Sequence, residues 1–456
     1  MKKSRDAEFA LDWMPIYRAC SPPVGIGKKM MSKKPKIVVV GAGFAGLRAI
    51  DRLARTDAEI ILIDRNNYHT FVPLLYQVAT GFIPPETIAY PIRKYLRSIP
   101  NARFLQAEVQ KIDRQAQIVK TDVIDLEYDY LVIATGSQSI FLGVEGAPQY
   151  SLPMRTLEDA IIIRDRLISN FEKAVVCTDP VARKQLLTIA IVGGGATGVE
   201  LAGAIKELVS GTLLKDYPAI SSREVDVISI HSGSRLLKDY PAHLSNYTCK
   251  QLRRRGIKVH LESRVARVMP TALKLEDGTA IETAMIIWTA GLEANYPQTR
   301  AGLKTASKDK ICVNAMLQLP EYDNVYAVGD VAFVTHNEEP LLGIAPEALQ
   351  QGTTVGKNLQ RQLKGLSPKP FNYFNKGKAA IIARNSGIAY LLGRIPLKGW
   401  AAWLMWLGIH LYYLPGIANR FVTLGSWIRD YLTRERDLRQ LVKRSNFYAM
   451  ARESSE

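Results

Sequence analysis

Two stretches of the chain pass from a continuous apolar run, through a cluster of glycines, into helical spacing. KIVVVGAGFAG (36–46) is a β-branched run ending in glycines, with a helical stretch over 47–53 and a second apolar run, EIILID (59–64), behind it. TIAIVGGGATGVELAGAIKEL (188–208) repeats the pattern, and VDVISIH (225–231) is its second strand. Strand, glycine turn, helix and strand in that order predict a βαβ unit, so the chain holds two dinucleotide-fold halves. DYLVIATGS (129–137) reads as a buried strand running into a Gly turn, and DNVYAVGDVA (323–332) as a strand ending in Gly-Asp; neither fits the second unit. The expected fold class is α/β with tandem Rossmann-like domains: a first domain over 36–150, a second inserted over 151–318, and a return to the first over 319–395.

A third region, 396–456, changes character. GWAAWLMWLGIHLYYLPG (399–416) is aromatic and apolar, and the segment 420–444 is amphipathic, with Phe421, Leu424, Ile428 and Tyr431 at helical spacing. The apolar run is shorter than the roughly 20 residues a spanning helix needs, contains His410 and ends at Pro415, so no transmembrane segment is predicted. Tryptophan combined with Arg on an amphipathic helix fits a segment lying in a membrane interface, with Trp400, Trp403, Trp406 and Trp427 as the inserted side chains. The alternative is a hairpin that closes a homodimer or caps the core.

Charge sharpens this picture. The net charge of +17 is concentrated at the ends, with eight Lys/Arg against three Asp/Glu over 1–35 and fifteen against five over 364–456. A nucleic-acid binder would spread such charge over a folded face; a near-neutral body with a basic terminus fits contact with an anionic membrane surface. At 47% hydrophobic and 23% charged residues the chain is an ordinary globular protein, neither disordered nor polytopic. Cys20, Cys177, Cys249 and Cys312 form no CxxC pair and no zinc spacing, which excludes a disulfide-exchanging reductase and leaves no metal site. Asp6, Glu8 and Asp12 interrupt any secretory signal. Residues 1–35 are expected to be an unstructured basic extension, with Met30 or Met31 as the start or, alternatively, a targeting sequence.

The glycines carry the first chemistry. Gly41 permits a tight turn, Gly43 lets backbone approach a pyrophosphate, and Gly46 allows close helix–strand packing, while Asp64 ends the next strand where a carboxylate can accept from a ribose. Gly193, Gly195 and Gly198 repeat the logic. Glu200 by itself reads as a carboxylate balancing a helix dipole, and Asp330 by itself as either a flavin contact or a helix cap. The second unit ends its strand in His231, where an acid is expected for the 2′-hydroxyl of NAD, and Ser232, Ser234 and Arg235 follow. The missing carboxylate favours NADPH, with Arg235 expected to pair with a 2′-phosphate; alternatively His231 is merely tolerated and a preference for NAD survives.

NNYHTFVPLLYQVATG (66–81), IVGGGATGVELAG (191–203), WTAG (288–291), VYAVGD (325–330) and APEALQQG (345–352), followed by the aromatic tail, resemble the type II NAD(P)H:quinone oxidoreductases over about 36–444. The resemblance implies FAD held by Gly41, Gly43, Phe44, Ala45, Gly46, Asp64, Gln77, Thr135, Gly136, Gly329, Asp330 and Ala348. It implies NADH or NADPH as co-substrate at Gly193, Gly195, Thr197, Gly198, Glu200, His231, Arg235 and Gly291. A membrane quinone would be reduced at Gln350, Gln351 and Lys376, with Glu200 beside the nicotinamide. The protein would be peripheral, on the cytoplasmic or equivalent organellar face, and would pump no protons. Asp64 stands where the family usually has Glu, and Pro346 where many members have Gln. A soluble ferredoxin or rubredoxin reductase, a sulfide:quinone oxidoreductase using Cys177 or Cys312, and a nucleotide-sensing protein with little turnover are the competing readings.

Overall fold

The computed structural model describes residues 34–296 and 303–436; the basic extension and the end of the C-terminal region lie outside them. From Pro35 onward the described chain builds two five-stranded parallel sheets, accompanied by smaller sheets of two or three strands, most of them antiparallel. β1 (Lys36–Val40) leads through the first glycines into α1 (Phe44–Leu53) and β2 (Glu59–Asp64). After α2 (Leu75–Ala79) come β3 (Ala102–Gln106) and β4 (Tyr130–Ile133). These strands read as unbroken apolar runs because both faces of a parallel sheet are covered. Ile37, Val38, Val39, Ile60, Leu62, Leu131 and Val132 are accordingly sealed from solvent.

The chain then leaves that sheet. β5 (Leu152–Pro153) precedes α3 (Leu157–Val176), whose start is fixed by a capping box between Thr156 and Asp159. β6 (Thr188–Val192), α4 (Ala196–Leu208), β7 (Asp226–Ile230), α5 (Ala242–Arg254), β8 (Lys258–His260) and β9 (Met285–Trp288) follow. They form a second parallel sheet in the order β5-β9-β6-β7-β8. β10 (Val325–Ala327) returns to pair in parallel with β4, giving the first sheet the order β10-β4-β1-β2-β3.

α6 (Ala345–Gln362) lies across α1, and the crossing is close because both helices present small residues. A Cβ on Gly352 would stand 2.2 Å from the Ala45 carbonyl oxygen, and one on Gly356 2.6 Å from that of Ala49. The chain ends as an antiparallel sheet, β11 (Gly377–Ala383), β12 (Ser386–Leu391) and β13 (Ile395–Gly399), overlaid by α7 (Trp400–Tyr413) and followed by α8 (Ile417–Thr433).

One expectation for this region is corrected. Trp406 is fully buried and Trp427 nearly so, in the cluster that also holds Tyr76, Leu201 and Ile382, so only Trp400 and Trp403 of the four tryptophans keep substantial access to solvent. The reason is chemical: the Trp427 indole N–H donates to the Gln77 side-chain carbonyl at 2.8 Å, and Trp406 stacks on His410 with ring centroids 3.7 Å apart. Both rings face inward while Phe421, Ile417 and Leu432 point out, each at least 70% exposed. No helix among the described residues is long and apolar enough to cross a membrane.

Candidate functional site

The carboxyl ends of β1, β4 and β10 meet the N-termini of α1 and α6, the position where open parallel sheets bind ligands. The three glycines of the first turn divide the work as their spacing suggests. Gly41 sits at φ +104, a Cβ on Gly46 would come 2.0 Å from the Gly41 carbonyl oxygen, and at Gly43 nothing lies within 4 Å. Packing therefore forbids a side chain at one end of the turn and leaves clear space in the middle, beside the unpaired N–H groups that begin α1. That cradle fits a pyrophosphate. Gly136 also faces open space, and Ala348 lies 3.9 Å from a Cβ placed on Gly329. These observations fit a dinucleotide such as FAD between the two strand ends. Phe44 and Ala45 begin α1 at its floor.

Asp64 holds the loop. Its carboxylate accepts from the Ala42 N–H at 2.7 Å and the Asn66 N–H at 2.8 Å, and burial pushes its pKa up despite them. Asp330 accepts from Ser137 Oγ at 2.8 Å and from the Arg155 guanidinium at 2.9 Å. Arg155 also donates to the Ser137 carbonyl, so a residue lying just before α3 closes this side of the pocket. Sequence reading missed it, since a lone Arg in a loop carries no pattern. Thr135 Oγ1 donates to the Asn295 carbonyl at 2.5 Å.

The second glycine turn has the same construction. At Gly195 nothing lies within 4 Å, and a Cβ on Gly198 would come 2.0 Å from the Gly193 carbonyl oxygen. Thr197, exposed, lies in the first turn of α4. Gly291, at φ +81, packs against Ile140 and Leu142. His231 lies over this turn: a Cβ on Gly194 would stand 2.5 Å from its ring. The Arg235 guanidinium donates to the Lys238 carbonyl at 2.9 Å.

Glu200 is not in the first turn of α4 but a turn deeper, buried, with Oε1 accepting from the Ile381 N–H of β11 at 3.2 Å. Burial raises its pKa to about 8, against the lowering effect of that N–H and of the nearby Trp406 indole, whose N–H lacks full hydrogen-bond geometry. Burial thus favours the protonated form of this carboxyl. It lines a cavity of about 460 Å³ with Tyr76, Gln77, Phe82 and Trp427, walled by α7 and α8. Gln77 is spent within the protein, donating to the Tyr76 hydroxyl and accepting from Trp427.

The three residues grouped for quinone reduction do not line this cavity. Gln351, buried, accepts from the Gly329 N–H at 2.7 Å and so fixes the turn next to Asp330. Gln350 pairs with both backbone groups of Phe374, and Lys376 approaches the Tyr413 hydroxyl at 3.3 Å. The cavity instead gathers Glu200 with Tyr76 and Trp427; Tyr76 stood beside Gln77 in the quoted motif, whereas nothing in the periodicity of the tail distinguishes Trp427 from an outward-facing tryptophan. Cys177, Cys249 and Cys312 are free.

Residues 35–352 match the family model described as pyridine nucleotide-disulphide oxidoreductase, and the chain belongs to that family. It also belongs to the type II NADH:quinone oxidoreductases. It is 35% identical over 421 residues to Type II NADH:quinone oxidoreductase Ndh of Mycobacterium tuberculosis, covering 89% of both chains, and 28% identical over 381 residues to the enzyme of that name in Staphylococcus aureus, covering 81% of this chain and 92% of the other. Among solved structures, NDH2 from Plasmodium falciparum in complex with NADH superposes with a TM-score of 0.81 at 20% identity, over 90% of this chain and all of that one. The sulfide:quinone oxidoreductase of Aquifex aeolicus reaches 0.69 at 19%, over 88% and 96%. The protein is a flavin-dependent, non-proton-pumping NADH:quinone oxidoreductase.

Proposed function

We propose that NAD(P)H binds at the N-terminus of α4, FAD at the N-terminus of α1, and the quinone ring in the cavity between α4, β11 and the two C-terminal helices. The net reaction takes NAD(P)H, one proton and a quinone to NAD(P)⁺ and quinol. FAD, when bound, accepts the hydride and passes the electron pair on. The protein's own part is to hold one nucleotide at a strand end of each parallel sheet, to exclude water with the apolar wall of α7 and α8, and to present a proton. The carrying observation is the buried Glu200 carboxyl in an apolar cavity beside Gln77, where burial raises its pKa to about 8. A buried carboxylic acid near neutral pKa is suited to protonating a quinone oxygen as it gains charge.

Glu200→Gln is therefore expected to lower quinone turnover by about 10²-fold or more, while turnover with ferricyanide, which takes electrons and no proton, falls far less. Wild-type quinone turnover should also decline as pH rises through about 8, because the folded enzyme then loses the Glu200 proton. Equal losses with both acceptors would reject the proton-donor role.

The outward face of α7 and α8 supports a peripheral membrane location, on the cytoplasmic or equivalent organellar face. Trp400, Tyr412, Ile417, Phe421 and Leu432 are exposed there, with Arg394 and Lys398 at its edge. Sedimentation with anionic vesicles is expected to weaken with salt but not vanish, since salt screens the basic residues and not apolar insertion. If the chain stays in the supernatant even at low salt, that face serves instead as a contact between two copies.

A further inference from the structure

The middle residue of the first glycine turn is gripped from behind. The Ala42 carbonyl accepts from the His69 ring at 2.8 Å, and the Ala42 N–H donates to the Asp64 carboxylate at 2.7 Å, so both backbone groups of residue 42 are held. Nδ1 of His69 carries the hydrogen, because a carbonyl can only accept. The ring is 6% exposed, stands nearly perpendicular to Phe44 with centroids 5.1 Å apart, and belongs to the strand Tyr68–Thr70, which pairs in antiparallel register with Ala89–Pro91. Across the planar peptide that joins Ala42 to Gly43, the Gly43 N–H points away from this carbonyl. Ala42 is buried and Gly43 exposed, and the Gly43 N–H meets no acceptor among the described residues, beside the space that a Cβ on Gly43 would enter without contact.

The second turn repeats the arrangement with a different donor. There the Gly194 carbonyl accepts from the Leu237 N–H at 2.8 Å, Gly194 is buried, Gly195 is exposed, and the Gly195 N–H likewise meets no acceptor among the described residues. Leu237 makes the contact from φ +51, a left-handed conformation that a leucine seldom adopts. Two turns in different surroundings thus restrain the corresponding carbonyl, one with a side chain from the segment after β2 and the other with a backbone N–H from the loop after β7.

We propose that His69 is a positioning residue for the pyrophosphate of FAD: it keeps the Ala42 carbonyl turned into the protein and thereby the Gly43 N–H turned toward the cradle. This rests on the assignment of FAD to the N-terminus of α1. Without the donor the buried carbonyl has no partner, and the peptide gains by turning that oxygen into the open cradle, where water reaches it. A carbonyl oxygen there faces the phosphate oxygens and repels them, and the N–H that should meet them is lost. Binding FAD must then turn the peptide back, so the effect falls on flavin affinity before it falls on folding. Asp64 does not replace His69, because it holds the N–H on the other side of Ala42 and leaves the peptide that follows free to rotate.

The test uses full-length enzyme loaded with FAD. Release of FAD on dilution, read by flavin fluorescence, gives the affinity, and the phosphorus NMR resonances of the bound FAD report on the pyrophosphate itself. His69→Leu, which keeps an apolar volume and no donor, should weaken FAD retention at least about tenfold and shift those resonances. His69→Asn, whose amide places an N–H near the position of Nδ1, should restore both to near wild type. Wild-type retention and resonances in His69→Leu would overturn the positioning role, and so would equal losses in the two variants, since packing alone would then account for them. Should His69→Leu fail to fold, His69→Asn decides: wild-type retention and resonances uphold the role, and loss of FAD overturns it. Gly43→Val separates this inference from the FAD assignment. If Gly43→Val keeps its FAD, the site at α1 falls and the role of His69 with it; if Gly43→Val loses FAD while His69→Leu retains it, only the role of His69 falls.

Discussion

Gly43→Val is expected to give a folded protein that no longer retains FAD. The three glycines of the first turn are not equivalent. A side chain at Gly46 would meet the Gly41 carbonyl oxygen at 2.0 Å, and one at Gly41 would meet the Ala134 carbonyl oxygen at 2.3 Å, so substitution at either forces β1 and α1 apart. At Gly43 a Cβ meets no protein atom within 4 Å, and the residue's φ of −76 is one that any side chain can adopt. The protein loses nothing by accepting valine there, but the valine fills the space beside the first N–H groups of α1 that the pyrophosphate needs. The flavin-to-protein ratio from absorbance, together with circular dichroism, checks this. Near-stoichiometric FAD in Gly43→Val would place the pyrophosphate elsewhere, and an unfolded variant would show that the space is filled by protein in solution. Gly46→Val serves as the contrast, with fold and flavin expected to be lost together.

Much of this architecture is legible in the sequence because short-range rules carry it. The glycine turns combine a steric requirement with a fixed spacing, and the strands of a doubly covered parallel sheet announce themselves as unbroken apolar runs. Val325–Ala327 could be separated from the second unit because it ends in Gly-Asp, and it pairs with Tyr130–Ile133. What the sequence conceals is set by contacts between distant segments. Arg155 is joined to Asp330 across 175 positions and Trp427 to Gln77 across 350, and no local period encodes either pairing. The tail shows the cost of reading composition alone. Trp400 and Trp406 sit on the same helix with the same chemistry, yet one is 57% exposed and the other sealed, because only Trp406 meets Tyr76, His410 and Trp427. Arg235 is a similar case: its charge is visible in the sequence, but the carbonyl that occupies it is not.

Asp430→Ala is expected to destabilise the enzyme by about 3–5 kcal/mol, the usual cost of stripping one partner from a buried ion pair. Asp430, near the end of α8, accepts from Arg436 Nε at 3.0 Å and from Arg384 Nη2 at 2.8 Å. Arg436 is 3% exposed; its Nη1 donates to the carbonyls of Thr80 and Ala204, its guanidinium lies 4.5 Å from the Phe82 ring centroid, and Glu207 stands 3.6 Å away. Two arginines and two carboxylates thus balance, and they tie α8 to α2, to α4 and to the end of β11. Removing Asp430 leaves two cations facing Glu207 alone in a site that water does not reach freely. For a chain of this size the loss corresponds to a fall in melting temperature of about 3–6 °C. Asp430→Asn, which keeps the acceptor oxygen and drops the charge, should lie between the two. The paired replacement Asp430→Leu with Arg436→Met removes both charges and should recover part of the loss, because an apolar pair needs no compensation. The same ties hold the wall of the Glu200 cavity, so quinone turnover in Asp430→Ala should fall while flavin content at 25 °C is retained. Thermal melts of the FAD-loaded variants decide the matter: unchanged melting in Asp430→Ala would mean that Arg384 and Arg436 find water in solution and that α8 is held by its aromatic contacts alone.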